Sequence, residues 1–268
     1  MVTWNGIKIA DKGFLINLEE RKDRLEESLS EFKLNNMSLE SKIFVKHHLG
    51  MGDSIVHNGM IRKISEDNSN SEIHIAAKHH YYNNVVFMFR DNPKIKVKSV
   101  LNDGEMENFI KNENFDKIIS SHFCDNMGYR YEKYFDDSFY LIVGMDPKIK
   151  QEYFYIERDY ELEEKVYNEL IVSKGIHDYH FIHEKPEENI RINRELLKPN
   201  YPIITAEPQY EMFSLLKVIE NAKSVNIISS SFLSLMMCKK YNENVIAHMY
   251  CDRQFISPYV NKHDIKTL

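Results

Sequence analysis

Residues 43–64, IFVKHHLGMGDSIVHNGMIRKI, decide the fold of this chain, because three local patterns follow one another there. Ile43–Val45 is a β-branched and aromatic run, which predicts a buried strand. Gly50 and Gly52 then interrupt the run, and glycine either takes a positive φ or lets another group approach the backbone. From Ser54 onward, apolar residues recur at helical spacing. A strand, a glycine turn and a helix N-terminus together form a ready anion site, because backbone N–H groups gather there.

The glycine turn also has a purely structural interpretation. Glycine pairs join strands to helices in many α/β proteins, and Gly50-Met51-Gly52-Asp53 is not a complete GxGxxG or GxxxxGK[ST] motif. Asp53 argues for different chemistry, since a phosphate site favours no acid. At the mouth of the turn, the Asp53 carboxylate is better suited to act as a base towards a sugar hydroxyl than to bind a phosphate.

The composition is that of an ordinary globular protein. The chain has 268 residues, of which 43% are apolar and 28% charged, enough for one large domain or two modest ones. A net charge of −6 argues against nucleic acid as the principal ligand. The cysteines Cys124, Cys238 and Cys251 are too far apart to indicate a disulfide framework or a zinc site. No signal peptide or transmembrane segment is evident. We expect a cytoplasmic protein that makes at most a peripheral membrane contact.

Strand-like and helix-like stretches alternate along the chain. The predicted strands are residues 43–45, 72–77, 95–100, 117–120, 179–183, 202–205, 225–228 and 244–247. The predicted helices are residues 80–91, 103–109 (capped by Asp103), 161–171, 209–222 and 232–241, besides the helix that begins at Ser54. This alternation predicts parallel sheets with right-handed crossovers. The fold class is therefore α/β, with two Rossmann-like domains at 41–160 and 161–268 behind an extension of residues 1–40.

Three consecutive serines, Ser229, Ser230 and Ser231, lie between a predicted strand and a predicted helix. Serine hydroxyls cap helices, and the free N–H groups of a helix N-terminus attract anions. Ligands of open α/β sheets bind at the carboxyl ends of the strands. This serine loop is therefore a second candidate anion cradle.

The N-terminal extension predicts a strand pair over residues 6–18 and a charged helix over residues 19–33. The segments Ile16-Asn17-Leu18 and Arg21-Lys22-Asp23-Arg24 resemble the opening of the lipopolysaccharide-modifying glycosyltransferase family. The likeness covers about 20 residues, and the acidic metal-binding motif of that family does not follow. A solvated helix that covers a sheet edge explains the same residues.

The two halves together resemble a compact GT-B glycosyltransferase, and more narrowly the heptosyltransferase and fucosyltransferase-like families. Gly50–Asp53 matches the glycine-plus-acid turn that carries the proposed catalytic base of that family. Ser229–Leu235 takes the place of the loop that holds the donor diphosphate, although serines replace its Asp and Gly and Ser234 stands where a His is usual. The resemblance implies parallel sheets facing across a cleft, with the acceptor on the 41–160 side and the donor on the 161–268 side.

The resemblance implies a metal-independent glycosyltransferase of polysaccharide biosynthesis, with Asp53 as general base. It would move a hexosyl or heptosyl group from a nucleotide-sugar donor, its co-substrate, to a saccharide or glycolipid acceptor. No cofactor is expected. Asp53 would need partial burial, because an ordinary Asp is a weak base. The candidate donor-binding residues are Gly50, Gly52, Lys185, Glu207, Glu211, Ser229, Ser230 and Ser231.

Other residues are assigned to structure. The pairs His47-His48 and His79-His80 point to opposite faces of a strand, so neither chelates a metal alone. His122 and Cys124 lack partners at ligand spacing, which predicts no structural zinc. Asp136-Asp137 is interpreted as a surface turn. The dense aromatic residues of 122–158 are expected to serve packing more than ligand stacking.

Two other functions fit the sequence. The chain could be a non-catalytic nucleotide- or sugar-binding module, in which Asp53 only caps the first helix. A Rossmann-type enzyme such as a sugar epimerase is disfavoured, because the first turn lacks GxGxxG and the chain contains no YxxxK sequence.

Overall fold

The computed structural model describes residues 2–4, 7–9, 41–126, 135–248 and 266–267. A short antiparallel hairpin opens the chain, with β1 (Val2–Trp4) paired to β2 (Ile7–Ile9). The rest of the predicted 6–18 strand pair, the 19–33 helix and the INLEERKDR segment lie outside the described residues.

The first half forms a four-stranded parallel sheet. Its strands are β3 (Ser41–Lys46), β4 (Ser71–Lys78), β5 (Ile95–Val100) and β6 (Lys117–Ser120). They lie in the order β5-β4-β3-β6, all parallel. The earliest of the four therefore has neighbours on both sides, and its apolar residues Ile43–Val45 are fully buried. This is why the run contains no alternating polar positions.

Four helices accompany this sheet: α1 (Met51–Val56), α2 (Asn58–Asp67), α3 (Tyr82–Phe89) and α4 (Asp103–Asn112). The predicted single helix after the glycine turn begins earlier than Ser54 and divides at His57, whose ring and backbone N–H both bond to the Asp53 carbonyl. The predicted cap of α4 is also wrong. Asn102, not Asp103, is the N-cap, because its side chain accepts the Glu105 N–H at 3.0 Å.

Three helices lead into the second half: α5 (Phe135–Ile142), α6 (Ile149–Glu152) and α7 (Tyr160–Leu170). The second parallel sheet has the strands β7 (His180–His183), β8 (Ile203–Thr205), β9 (Ser224–Ile228), β10 (Val245–His248) and β11 (Lys266–Thr267). Helix α8 (Leu216–Asn221) precedes β9, and helix α9 (Ser231–Cys238) follows it. The strand order is β11-β10-β9-β7-β8. The predicted 209–222 helix is shorter, since a 3₁₀ turn at Met212–Leu215 precedes α8.

The two halves are joined by helix packing and share one apolar core. Helix α1 packs on α9, and α2 packs on α6. Buried residues of both sheets, such as Ile43 and Val225, belong to the same cluster. In the described part of the chain, no helix is long and apolar enough to cross a membrane.

The contact of α2 with α6 depends on Gly59. A Cβ atom there would lie 2.5 Å from the Ile149 carbonyl oxygen and 3.1 Å from the Lys150 Cα, and both are backbone atoms. Real side chains do not approach so closely, so the backbones touch only because position 59 has no side chain.

Gly59→Ala is therefore expected to lower the free energy of unfolding by about 1–3 kcal/mol, the usual effect of overpacking. Gly104→Ala in α4 is the matched control, because the nearest neighbour of its Cβ is the side-chain oxygen of Asn102, at 3.2 Å. Urea denaturation measures both variants. Equal stability of the two variants would contradict this account of the α2–α6 contact.

Candidate active site

The glycine turn after β3 and the serine loop after β9 meet at one cavity of about 170 Å³. Both segments follow the carboxyl end of a parallel strand, the edge at which open α/β sheets bind ligands. The cavity wall comes from α1, α5 and α9 with the serine loop, through Gly52, Asp53, Val56, Phe135, Asp136, Phe139, Ser229, Ser230, Leu233, Ser234 and Met237.

The two segments approach most closely at Gly52. A Cβ atom there would lie 2.9 Å from Ser234 Oγ and 3.7 Å from Ser231 Cα. At Gly50, a Cβ would collide with the carboxylate of Asp53, although the backbone itself is ordinary, with φ −69° and ψ 148°. Both glycines therefore allow close approach of neighbouring side chains and do not adopt a positive φ.

Asp53 is partly buried in the first turn of α1 and lines the cavity. Burial raises its pKa to about 6, because desolvation disfavours the charged carboxylate. The backbone N–H groups of Gly50 and Asp53 and the charge of Lys78 oppose this shift without cancelling it. The carboxyl group is thus poised to accept a proton near neutral pH. The Asp53 carboxylate also accepts from the N–H of Gly50, the N-cap residue of α1, as the third residue of a helix does in a capping box.

Ser230 is the N-cap of α9 but does not act as a cap through its side chain. Its Oγ is buried and has no hydrogen-bond partner among the described residues. The first turn of a helix leaves N–H groups without helical partners, and the first turn of α9 lines the cavity through Leu233 and Ser234. The described part of this wall therefore offers a hydroxyl and a helix N-terminus to an anion.

Asp136 and Asp137 contradict their interpretation as a surface turn. Both are buried in α5, and both bond to the fully buried ammonium of Lys150. Asp136 also lines the cavity. The prediction failed because Lys150 lies 14 positions away in sequence from Asp136, so no local pattern shows the pairing. The helical spacing of Phe135, Phe139 and Ile142 was the available signal for a buried helix.

Four histidines pack beside the glycine turn. The rings of His47 and His57 stack with centroids 4.9 Å apart, and those of His48 and His122 stack at 4.0 Å. His47 and His48 follow the last residue of β3, so the strand geometry on which their prediction rested does not apply to them. Burial lowers the pKa of His47 and His48 to about 4 and that of His57 well below its ordinary value. These three rings are neutral at pH 7.

His57 fixes the backbone of Asp53. Its Nδ1 lies 2.7 Å from the Asp53 carbonyl oxygen, which can only accept, so the ring proton is on Nδ1. Its Nε2 then accepts from the Ser121 hydroxyl at 2.7 Å. This chain of hydrogen bonds was not foreseen, because Ser121 follows a different strand.

The other predicted donor-binding residues lie apart from the cavity. Lys185 pairs with Glu188 at 2.8 Å after β7. Glu207 is exposed and accepts a hydrogen bond from the Gln209 amide, and Glu211 is exposed at the 3₁₀ turn before α8. None of the three predicted residues belongs to the cavity wall.

Among the residues that the structure describes, no group of three or more His, Cys, Asp or Glu side chains could hold a metal ion. Among the described aromatic residues of 122–158, Phe139, Tyr140 and Phe154 pack in the core, as predicted, whereas Tyr155 is exposed.

Comparison with solved structures places this geometry in context. A glycosyl transferase family 9 protein from Veillonella parvula DSM 2008 superposes with a TM-score of 0.56 and 11% identity, covering 87% of this chain and 88% of that one. The E. coli ADP-heptose LPS heptosyltransferase II superposes with a TM-score of 0.54 and 8% identity, covering 85% and 90%. The chain has the fold of these glycosyltransferases. No protein-family model and no curated protein sequence matches it.

The raised pKa of Asp53 has a testable effect on stability. Folding favours the protonated form, so Asp53 contributes stability below its unfolded pKa of 3.8 that is lost as the pH rises through about 6. Asp53→Asn removes this dependence. Between pH 4 and pH 8, wild type is therefore expected to lose about 2 kcal/mol of stability relative to Asp53→Asn.

Urea denaturation at both pH values measures this difference. Asp178→Asn is the control for the general response of the chain to pH, because Asp178 precedes β7 at the opposite end of the sheet from the cavity. A stability difference between Asp53→Asn and wild type that is the same at pH 4 and pH 8 would show that the pKa of Asp53 is not raised.

Proposed function

We propose that this chain is a metal-independent glycosyltransferase that moves a sugar from a nucleotide-activated donor to a saccharide or glycan acceptor. The observation that carries the proposal is the meeting of Asp53 and Ser230 at one cavity. A base from the first half and a helix N-terminus from the second half are the two groups that such a transfer requires. The fold likeness to two glycosyltransferases supports the same conclusion.

Asp53 acts as the general base. Its carboxylate takes the proton of an acceptor hydroxyl, and the acceptor oxygen then attacks the anomeric carbon of the donor sugar. The bond from that carbon to the diphosphate oxygen breaks, and the diphosphate leaves with the electron pair. A base with a pKa of about 6 is largely ionised at pH 7 and is stronger than an ordinary Asp.

The N-terminus of α9 receives the charge of the leaving diphosphate. The hydroxyl of Ser230 lacks a partner among the described residues and supplies one hydrogen bond to a phosphate oxygen. The dipole of α9 adds favourable electrostatic energy at the same end. In this proposal the donor binds to the second half and the acceptor to the first, and the contact of α1 with α9 brings the two binding sites together.

A non-catalytic nucleotide- or sugar-binding module is the second candidate. It is favoured by the contact of the Asp53 carboxylate with the Gly50 N–H, since capping α1 is a sufficient reason for an acid there. The two functions differ in the role of Asp53, which is a base in a transferase and only a helix cap in a binding module. A conservative substitution of Asp53 distinguishes these roles.

Asp53→Asn is expected to leave nucleoside diphosphate binding within threefold of wild type and to lower sugar transfer by about 10²–10⁴-fold. The amide keeps the shape of the carboxylate but cannot accept the hydroxyl proton. A thermal-shift screen of nucleoside diphosphates and nucleotide sugars, with and without EDTA, identifies the donor, since ligand at ~100 times its Kd adds about 2.7 kcal/mol of stability. A transfer assay with that donor measures the rate.

Ser230→Ala provides the control for the donor site. It removes a hydroxyl of the cavity wall and should weaken binding of the diphosphate by about threefold to tenfold. Ser214→Ala removes a buried hydroxyl that lies outside the wall and donates to the Glu211 carbonyl at 2.7 Å. This variant should bind the diphosphate as wild type does. Full transfer by Asp53→Asn, or no binding of any nucleotide to wild type, would contradict the proposal.

A further inference from the structure

The cavity wall contains a second acid with an incomplete set of partners. Asp136 is 4% exposed, and its Oδ2 receives a hydrogen bond from the Lys150 ammonium. Its Oδ1 is buried and has no hydrogen-bond partner among the described residues. A buried carboxylate oxygen without a donor is costly.

Lys150 is shared by two carboxylates. Its single ammonium is fully buried and bonds to two carboxylates, with Asp137 Oδ1 at 3.0 Å from Nζ. Burial and the neighbouring Asp137 raise the pKa of Asp136, whereas the charge of Lys150 lowers it. Among the described residues, Asp136 Oδ1 is thus left without a hydrogen-bond donor although Lys150 holds the other oxygen of the same carboxylate.

The missing donor can come from the cavity that Asp136 lines together with Asp53 and Ser230. A phosphate cannot supply this donor, because the ionised phosphates of a nucleoside diphosphate are acceptors and carry the same charge as the carboxylate. The described residues hold no cluster that would bind a metal ion. Phe135 and Phe139 add apolar ring surface to the same wall, which suits the C–H groups of a sugar. A sugar ring meets both needs, because its hydroxyl groups can donate to Asp136 and its C–H groups can pack on the phenylalanine rings.

We infer that Asp136 binds a hydroxyl group of a sugar in this cavity, held for that contact by Lys150. The inference rests on the proposed function and assigns a sugar-binding residue outside the glycine turn and the serine loop. The hydroxyl can belong either to the transferred sugar of the donor or to the acceptor, since both rings carry free hydroxyl groups.

The full chain offers a matched pair of variants. Asp136→Asn and Asp137→Asn each remove one carboxylate from Lys150, but only Asp136 lines the cavity. The probes are nucleoside diphosphates, the matching nucleotide sugars and a panel of methyl glycosides, measured by isothermal titration. Asp136→Asn should weaken one class of sugar-bearing probe by at least about tenfold, the loss typical of a hydrogen bond to a charged group.

The other measurements fix the source of the hydroxyl. Nucleoside diphosphate affinity should change by less than threefold in both variants, and Asp137→Asn should bind every probe within threefold of wild type. A loss confined to a nucleotide sugar assigns the contact to the donor, and a loss confined to a methyl glycoside assigns it to the acceptor. Should Asp136→Asn fail to fold, Asp136→Glu is the alternative. It keeps a carboxylate beside the Lys150 ammonium but moves the accepting oxygen, and it should show the same loss of affinity.

Three results would overturn the inference: unchanged affinity of the folded Asp136 variant for all sugar-bearing probes, an equal loss in Asp137→Asn, or no sugar-bearing probe bound by wild type. Failure of the proposed function looks different. Wild type would then bind methyl glycosides but no nucleotide, and the effect of Asp136→Asn on the glycosides would still decide the role of Asp136.

Discussion

The close approach of α1 to α9 at Gly52 is the constraint on which the site depends. A Cβ atom at position 52 would lie 2.9 Å from Ser234 Oγ and 3.7 Å from Ser231 Cα, so no side chain intervenes between the two helices at this point. Because they touch, the carboxyl ends of β3 and β9 face one cavity, and residues from both halves line it. The shared apolar core gives this contact the support of tertiary packing on both sides.

Burial gives the groups of the cavity their character. Desolvation moves the pKa of Asp53 to about 6 and keeps the histidines His47, His48 and His57 neutral. These three histidines therefore act through hydrogen bonds and packing and bring no positive charge to the glycine turn. The buried ammonium nearest to this wall is Lys150, and it serves Asp136 and Asp137 in a separate triad. Acids and hydroxyls are thus the polar groups of the described wall, and its other side chains are apolar.

Local pattern was enough to predict much of this fold. Runs such as Ile43–Val45 and Val225–Ile228 identify central strands, because a parallel strand buried on both faces has no polar alternation. The glycine turn and the serine loop were recognised separately from their flanking elements. Their meeting was an expectation from the family resemblance, since no local signal specifies which loops of two sheets come together.

Non-local pairing limited the rest of the prediction. Asp136 was assigned to the surface because its partner Lys150 lies in another helix, and a carboxylate pair in an aromatic segment gives no sign of burial by itself. Lys185, Glu207 and Glu211 were chosen by their position near predicted strand ends. The structure directs those side chains to local partners or to solvent instead of the cavity.

A crystal structure with the nucleoside diphosphate that stabilises the protein most would test the central claim directly. The account predicts the terminal phosphate at the N-terminus of α9, within hydrogen-bond distance of Ser230 Oγ, and its open side towards Asp53. A nucleotide bound at any other place, with the cavity between Gly52 and Ser230 left empty, would contradict the account.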